Sequence, residues 1–316
     1  MDLKVLAIVV PCYNEEEVLP SSNEQLISVL NNLIEANKIS KDSYILYVDD
    51  GSKDRTWSII SSLYEKSSLV KGLKLSRNKG HQNALLAGLE YAKDHADVSI
   101  SIDADLQDDI NVISKMVDYY LEGHDIVYGV RSDRKKDSFF KRFTAQAFYK
   151  LMNALGTNTV YNHADFRLMS NRALEGLFKY NEVNVFLRGI VPTIGFKSEI
   201  VYYERKERQA GVTKYPLKKM LSFAFEGITS FSIKPLTLIL RTGIFISFMS
   251  VMTFIILLVM DLMHYQNVDI LVYLGILICF LLGLNLVGMG IVGQYVGKNY
   301  VETKARPRYI VEEIKD

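Results

Sequence analysis

The chain has no excess of either charge: 37 lysines and arginines face 36 aspartates and glutamates, for a net charge of +1 at pH 7. A nucleic-acid-binding domain announces itself by a basic excess, so nucleic acid is not an expected partner. Cysteine is scarce, with only Cys12 and Cys279. The first falls at an expected strand end and the second inside a long apolar run, so they are not expected to pair. A chain without a disulfide framework fits a reducing cytosol. The N-terminal Met1-Asp-Leu-Lys leads straight into a strand-like run. It lacks a basic region, an apolar core and a cleavage site, so no signal peptide is expected. An internal repeat and a low-complexity tract are also missing, which excludes a repeat array.

Apolar residues, by contrast, are plentiful at 49% of the chain, and they concentrate after Pro235 while charges crowd the first two thirds. The stretches 242–260 and 270–297 carry no charged residue. A helix of about 20 apolar residues spans a bilayer core, whereas a buried core helix needs only about 10–14. Both stretches therefore read as transmembrane helices. The loop 261–269 between them contains no lysine or arginine, while Lys234 and Arg241 on one flank and Lys298, Lys304, Arg306 and Arg308 on the other are basic. The positive-inside rule puts both flanks in the cytoplasm. The expectation is a multi-pass plasma-membrane protein whose N-terminal domain and both termini are cytoplasmic. Gly293 and Gly297 form a Gly-xxx-Gly pair. That spacing suits a homo-oligomer contact between helices and suits ordinary membrane composition equally well.

Before Pro235, short β-rich runs alternate with helical periodicity. Residues 5–10, 44–48, 72–75, 98–102 and 125–130 read as strands, and 23–36, 54–66, 82–93 and 110–121 as helices. Alternating elements of this kind predict an α/β domain with a mostly parallel sheet covered on both faces. Several strands are nearly continuous in apolar residues, as buried parallel strands should be. A helix rich in Phe, Lys and Arg is expected over 139–155. A second amphipathic stretch over 217–231 carries Lys218 and Lys219 beside apolar residues, and its place just before the first span suits an interfacial helix.

Chemistry-bearing residues gather at the expected strand ends. The run Val98–Ile102 drives into Asp103-Ala-Asp105-Leu-Gln107. If that segment stays extended, Asp103, Asp105 and Gln107 face one way and present hard oxygen ligands suited to Mg²⁺ or Mn²⁺. Upstream lie Pro11-Cys-Tyr13-Asn-Glu15, in which Pro11 should stop the strand, and Asp49-Asp50-Gly-Ser-Lys-Asp54. Each also has an ordinary reading: acids favouring a helix N-terminus, and a turn with Asp54 as N-cap. The turn Ser76-Arg77-Asn-Lys-Gly80-His81 is basic and opens a helix, where free N–H groups suit phosphate. Asp165-Phe-Arg167 precedes a helix from Asn171.

Taken in order, Val-Pro-Cys-Tyr-Asn-Glu-Glu, Asp-Asp-Gly-Ser-x-Asp-x-Thr, Arg-Asn-x-Gly and Asp-Ala-Asp-Leu-Gln resemble glycosyltransferase family 2. Asp165-Phe-Arg167 and Arg208-Gln-Ala-Gly-Val-Thr-Lys214-Tyr are similar to its polyprenyl-phosphate branch, which includes dolichol and bactoprenol enzymes. The resemblance implies a GT-A fold, a nucleotide-sugar donor, a divalent metal and inversion at the anomeric carbon, and the expected reaction takes a hexose from a UDP-sugar to a polyprenyl phosphate acceptor. It assigns Pro11, Tyr13, Glu15 and Asp50 to the nucleoside, and Asp103, Asp105 and Gln107 to the metal. Arg131 and Arg142 match positions near phosphates, Arg77 of the basic turn is a further candidate for phosphate, and Arg208 and Lys214 match a loop that closes on the donor diphosphate. Asp165 is the candidate for orienting substrate, with a structural pairing to Arg167 as the alternative. Asp105, Asp165 and Arg131 are the expected catalytic residues. The expected organisation is a GT-A domain over 1–215, an interfacial region over 216–234, a two-helix anchor over 235–298 and a cytosolic tail over 299–316. A processive polysaccharide synthase is a rival reading, but its Gln-x-x-Arg-Trp motif is absent, because the one tryptophan is Trp57. A non-catalytic sugar-nucleotide-binding scaffold is the other rival, and the intact Asp103, Asp105, Arg208 and Lys214 argue against it.

Overall fold

The structure is a computed structural model that describes residues 3–132, 163–183, 186–204 and 270–316, together with positions 245 and 252. The expected strands are present as β1 (Leu6–Cys12), β2 (Tyr44–Asp49), β3 (Val70–Leu75), β4 (Val98–Ser101) and β5 (Ile126–Arg131). The expected helices are α1 (Leu19–Glu35), α2 (Thr56–Lys66), α3 (His81–His95) and α4 (Ile113–Leu121), the last entered through a 3₁₀ turn at Ile110–Val112. Helix α1 starts before its apolar periodicity does because Pro20 lies in its first turn, where the fixed φ of proline is already helical.

Further elements complete the sheet. Strand β6 (His163–Ser170) leads into α5 (Asn171–Leu177), then come α6 (Leu187–Thr193), β7 (Ser198–Tyr203), α7 (Ile270–Thr303) and β8 (Val311–Lys315). The expected helix at Asn171 is α5, and the Ser170 hydroxyl caps it by accepting from Ala173 N at 3.1 Å. The sheet order is β7-β5-β6-β4-β1-β2-β3-β8. Strands β3, β2, β1 and β4 are mutually parallel, β6 is antiparallel to both β4 and β5, and β8 is antiparallel to β3. This is the mostly parallel α/β sheet expected.

Strand alternation divides the core in two. Leu6, Ile8, Val10 and Cys12 of β1 pack with Leu26 and Leu30 of α1, Ile60 of α2 and Met116 of α4. Ala7 and Val9 face the other way, onto Ala84 and Leu85 of α3, Leu174 of α5 and Ile190 of α6. Every residue of β1 and β2 is consequently buried, which is why their sequences are apolar without a period.

Two expectations change. Pro11 does not stop β1, which runs on to Cys12. Val9 O accepts from Ile102 N on the β4 side and Cys12 O accepts from Asp50 N on the β2 side. Pro11 therefore faces β4, whose pairing with β1 has ended at Ser101, so its missing N–H breaks no ladder bond. The expected tail also contributes a strand. Glu313 accepts from the Trp57 indole at 3.2 Å, Glu312 pairs with Lys74 at 3.1 Å, and Ile310 O accepts from Ser76 N at 3.0 Å.

The expected helix over 139–155, the stretch 217–231 and the loop 261–269 lie outside the described residues, as does the span 242–260 except at positions 245 and 252. The run 270–297 falls within α7, which is 34 residues long. Counting only residues described through their side chains, no helix is long and apolar enough to cross a membrane. The spans accordingly rest on the sequence.

Candidate active site

The parallel strands point their carboxyl ends at one edge, and β1 is the switch point, with β2 on one side and β4 on the other. Ligands of open α/β sheets bind at such a crevice. The candidate residues from the ends of β1, β2, β4 and β5 all reach this edge, joined by the N-terminal end of the antiparallel β6.

The motif after β2 acts first as a set of ties. Ser52 Oγ accepts from Asn14 N at 3.0 Å, Thr56 Oγ1 accepts from Glu15 N at 2.9 Å, and Asp54 Oδ2 accepts from Glu16 N at 3.2 Å. The loops after β1 and β2 are thereby fastened together, which sets the height of Tyr13, 37% exposed at the site. Asp54 Oδ1 also accepts from Thr56 N at 3.0 Å, close to the cap expected of it.

Asp50, which the resemblance assigns to the nucleoside, clamps the turn that follows β3. Its Oδ1 accepts from Lys79 N at 2.7 Å and its Oδ2 from Gly80 N at 2.9 Å. Those N–H groups, expected to meet phosphate, are already engaged, while Arg77 of the same turn is exposed. Burial pushes the Asp50 carboxyl above its ordinary pKa, against the pull of these two bonds. Gly51 allows the close approach. Its φ is +66°, and a Cβ there would lie 2.5 Å from Asn78 N and 2.6 Å from the Arg77 carbonyl carbon, a clash with backbone rather than with a movable side chain. Asp49 is also buried, and its Oδ2 has no hydrogen-bond partner among the described residues.

The carboxylate run is not extended. Leu106 N donates to Asp103 O at 3.2 Å and Leu106 takes φ +43°, so residues 103–106 form a turn. Alternation of side chains therefore does not govern Asp103, Asp105 and Gln107. The turn itself places them: Ser22 Oγ of α1 holds the Ala104 carbonyl at 2.6 Å, and Gln107 N approaches Asp105 Oδ1 at 3.4 Å. Among the described residues no group of three or more His, Cys, Asp or Glu forms a complete metal cage. Asp103, Asp105 and Gln107 lie on and just after one short turn, and Mg²⁺ is commonly held by one or two carboxylates together with substrate phosphates. Lost hydration pushes the Asp103 carboxyl up, His81 opposes this, and Asp165, Asp108 and Asp105 push it further. A cation suits such crowding, so the residues fit a divalent metal.

Two arginines border this turn. Arg131, the last residue of β5, donates through Nη2 and Nε to Asp108 Oδ1 at 3.0 and 3.2 Å. Burial disfavours its charge, but Asp108 and Tyr203 outweigh that and raise its pKa. Arg188 of α6 grips Asp165, with Nη2 to Oδ2 at 3.0 Å and Nε to Oδ1 at 3.3 Å. Arg167 Nη2 reaches the same Asp165 Oδ1 at 2.8 Å. Against the upward push of burial, Arg188, Arg167 and His81 hold the Asp165 carboxyl well below the usual carboxylate range. Asp165 is thus ion-paired to Arg167, as the structural alternative has it, and is unsuited to taking a proton near neutral pH. His81 Nε2 lies 3.5 Å from Asp103 Oδ1 and 3.8 Å from Asp165 Oδ2, joining the two carboxylates.

Sequence reasoning left Asp108, Arg188 and the contacts of His81 unassigned. Asp108 directly follows the Asp103–Gln107 run, and His81 closes the basic turn that starts at Ser76. Arg188 had no local signal, since it meets Asp165 only through the fold. Arg142, Arg208 and Lys214 lie outside the described residues.

Comparison with known proteins agrees with this architecture. Residues 7–178 match the model of the family "Glycosyl transferase family 2". The chain is 56% identical to "Uncharacterized glycosyltransferase YkoT" of Bacillus subtilis (strain 168), over 98% of this chain and 91% of that protein. It is 37% identical to "Bactoprenol glucosyl transferase" of Shigella phage SfX and 39% identical to "Prophage bactoprenol glucosyl transferase homolog" of Escherichia coli (strain K12), each over 98% of this chain and 99% of the relative. The chain belongs to glycosyl transferase family 2, on the branch of these bactoprenol relatives, and is a glycosyltransferase.

Proposed function

We propose that this enzyme is a membrane-anchored inverting glycosyltransferase that moves a hexose from a UDP-sugar to undecaprenyl phosphate, making a lipid-linked sugar for cell-envelope glycosylation. The observation that carries the reading is the Asp103–Leu106 turn. It offers the Asp103 and Asp105 carboxylates beside Asp108-held Arg131, at the carboxyl edge of the sheet. Bactoprenol relatives of nearly equal length support a polyprenyl phosphate acceptor.

Asp103, Asp105 and Gln107 would hold Mg²⁺ or Mn²⁺, which when bound neutralises charge on the leaving diphosphate. An oxygen of the lipid phosphate attacks the anomeric carbon as the bond to UDP breaks, inverting the centre. Such a phosphate, with a second pKa near 6, is largely dianionic at neutral pH and requires no strong base. Asp165, held ionised by its arginines, accordingly serves for positioning. Arg131 offers a fixed positive charge for phosphate, turned by Asp108 rather than reorganised during reaction.

The return of β8 supports the anchor. Strands β7 and β8 belong to one sheet, yet 205–310 lies between them. A segment that leaves a sheet and comes back to it crosses a bilayer an even number of times, if it crosses at all. The uncharged runs 242–260 and 270–297 supply two crossings, with the site on the cytoplasmic face.

The test is a donor screen: purified protein, undecaprenyl phosphate, Mg²⁺ and single UDP-hexoses, with mass detection of the lipid product. A lipid-phosphate hexose is expected. Transfer to a lipid alcohol at an equal rate, or donor use that ignores lipid phosphate, would refute the acceptor.

A further inference from the structure

The chain passes from α7 into β8 with little slack. Helix α7 ends where Ala305 takes φ +45° and donates from its N to Glu302 O at 3.0 Å. Pro307 follows, and a left-handed residue with proline soon after it makes a sharp helix stop. Glu302, in the last turn of α7, accepts from Val183 N through Oε2 at 2.7 Å. Arg308 donates through Nη2 to Tyr180 O at 2.6 Å. Tyr309 then donates to Glu90 of α3, and Ile310 O accepts from Ser76 N at 3.0 Å just before β8 begins. Residues 302–310 are thereby a strap bonded to the catalytic domain along its length.

The contacts fall on the flanks of the candidate site. β8 is antiparallel to β3 and starts beside its carboxyl end, with Val311 opposite Leu75. The strap therefore arrives at the edge that carries the carboxylate turn. Ser76 opens the basic turn whose Lys79 and Gly80 N–H groups Asp50 clamps. Tyr180 and Val183 precede α6, whose Leu187 N donates to Gln82 Oε1 at 2.9 Å and whose Arg188 meets Asp165. Charge adds to these bonds: lost hydration and Glu302 push the Glu182 carboxyl up, and Arg308 opposes them. Arg308 thus joins the 180–183 segment to the end of α7 by attraction as well as by its bond to Tyr180 O. Glu302 stands five residues beyond the uncharged run 270–297, about 7–8 Å along a helix.

We infer that Arg308 and Glu302 are positioning residues that set the height of the site edge above the bilayer, so that a phosphate headgroup carried by a membrane lipid meets the carboxylate turn. This deepens the transferase reading and rests on it and on its two-span topology. A lipid tail buried in the bilayer confines its phosphate to the interface, so the protein has to fix the distance from that plane to the site. A soluble nucleotide reaches the site at any height. A fixed spacer has to be short, stiff and bonded to both flanks of the site, and the strap is all three. A flexible linker of the same length would leave the domain free to wander over the surface.

The experiment uses the full-length protein in lipid nanodiscs, with the double variant Arg308→Ala/Glu302→Ala and the single variant Arg308→Lys beside wild type. Energy transfer from Trp57, the one tryptophan, to a dansyl lipid in the disc reads the height of the domain. Kinetics with varied undecaprenyl phosphate, calorimetric titration with UDP and Mg²⁺, and a melting curve complete the set. The double variant should show altered energy transfer and a kcat/KM for undecaprenyl phosphate lowered by roughly 10- to 100-fold, the scale of a misplaced reactant. Its UDP affinity should stay within about twofold of wild type, and its melting temperature within a few degrees. Arg308→Lys, which keeps the charge and a donor, should retain most of both the energy transfer and the acceptor use. Unchanged energy transfer in the double variant, or acceptor kinetics within about twofold of wild type, would overturn the inference. So would a loss of UDP affinity in step with acceptor use, or a loss that merely follows the melting temperature, since either marks a general structural defect. A wild type that transfers nothing to lipid phosphate reports failure of the transferase reading, and a wild type without energy transfer to the disc reports failure of the topology. The inference falls with either, and the wild-type arm tells the two apart from a failure of the strap itself.

Discussion

Replacing Asp50 by Asn separates two roles for that residue. The resemblance assigns Asp50 to the nucleoside, whereas the structure spends both of its oxygens on Lys79 N and Gly80 N. Asparagine keeps one acceptor and turns the other oxygen into an NH₂ that confronts an N–H. One charge-assisted bond, worth about 1.5–3 kcal/mol, is lost, and the other falls to the neutral value of about 1 kcal/mol. Part of this is offset, because a carboxyl whose pKa is raised by burial is relieved when it becomes neutral. A net loss of about 2–3 kcal/mol is expected, or roughly 5–10 °C in melting temperature for a domain of this size. Trp57 makes a convenient reporter: it is the one tryptophan, and its indole joins α2 to Glu313 of β8. Thermal unfolding of the donor-free protein, followed by its fluorescence, should show the drop. A variant that melts within about 2 °C of wild type without donor, yet loses UDP affinity, would refute the clamp and restore the nucleoside role.

Asp105→Ala should abolish most transfer while leaving the melting temperature within a few degrees of wild type, and a chelator should do the same to the native enzyme; full activity in confirmed metal-free protein would contradict the metal assignment. Asp165 sits below the ordinary carboxylate pKa, so its ion pairs contribute stability that is present above the unfolded value of about 3.9 and lost as pH falls below it. Melting temperatures measured from pH 6 down to pH 3 should therefore fall more steeply for wild type than for Asp165→Asn. Cysteine introduced at Gln266 should be labelled from outside intact cells, and cysteine at Lys304 should not.

The parallel strands were legible because burial on both faces demands unbroken apolar runs, and the motifs were legible because such strands all end at one edge. β6 was harder to read. It carries Asp165 and a fully buried Arg167, so its hydropathy resembles that of a loop, and only the fold shows that the two charges neutralise each other. β8 hides for another reason: it is a short edge strand with Glu312 exposed and Glu313 half-buried, the charged pattern by which edges avoid pairing with other chains. The carboxylate turn defeated the period-two argument at a single residue. Leu106 takes a positive φ, which a leucine rarely adopts and which no residue pattern announces. The Arg188–Asp165 contact joins residues far apart in the chain and has no sequence signal at all.

The position of β8 also orders the folding of this protein. β3 is paired on one side by β2 and on the other by β8. The β8 side stays an open edge until the ribosome has translated the whole of 205–310. During that interval the domain carries its strand-end motifs and most of its core, yet exposes a row of unsatisfied backbone groups, the template on which strands of other chains aggregate. On the proposed topology, both membrane helices must form before the edge can close. On that topology completion of the catalytic sheet would depend on successful insertion, and a chain that failed to insert would keep an open edge for chaperones and proteases to find.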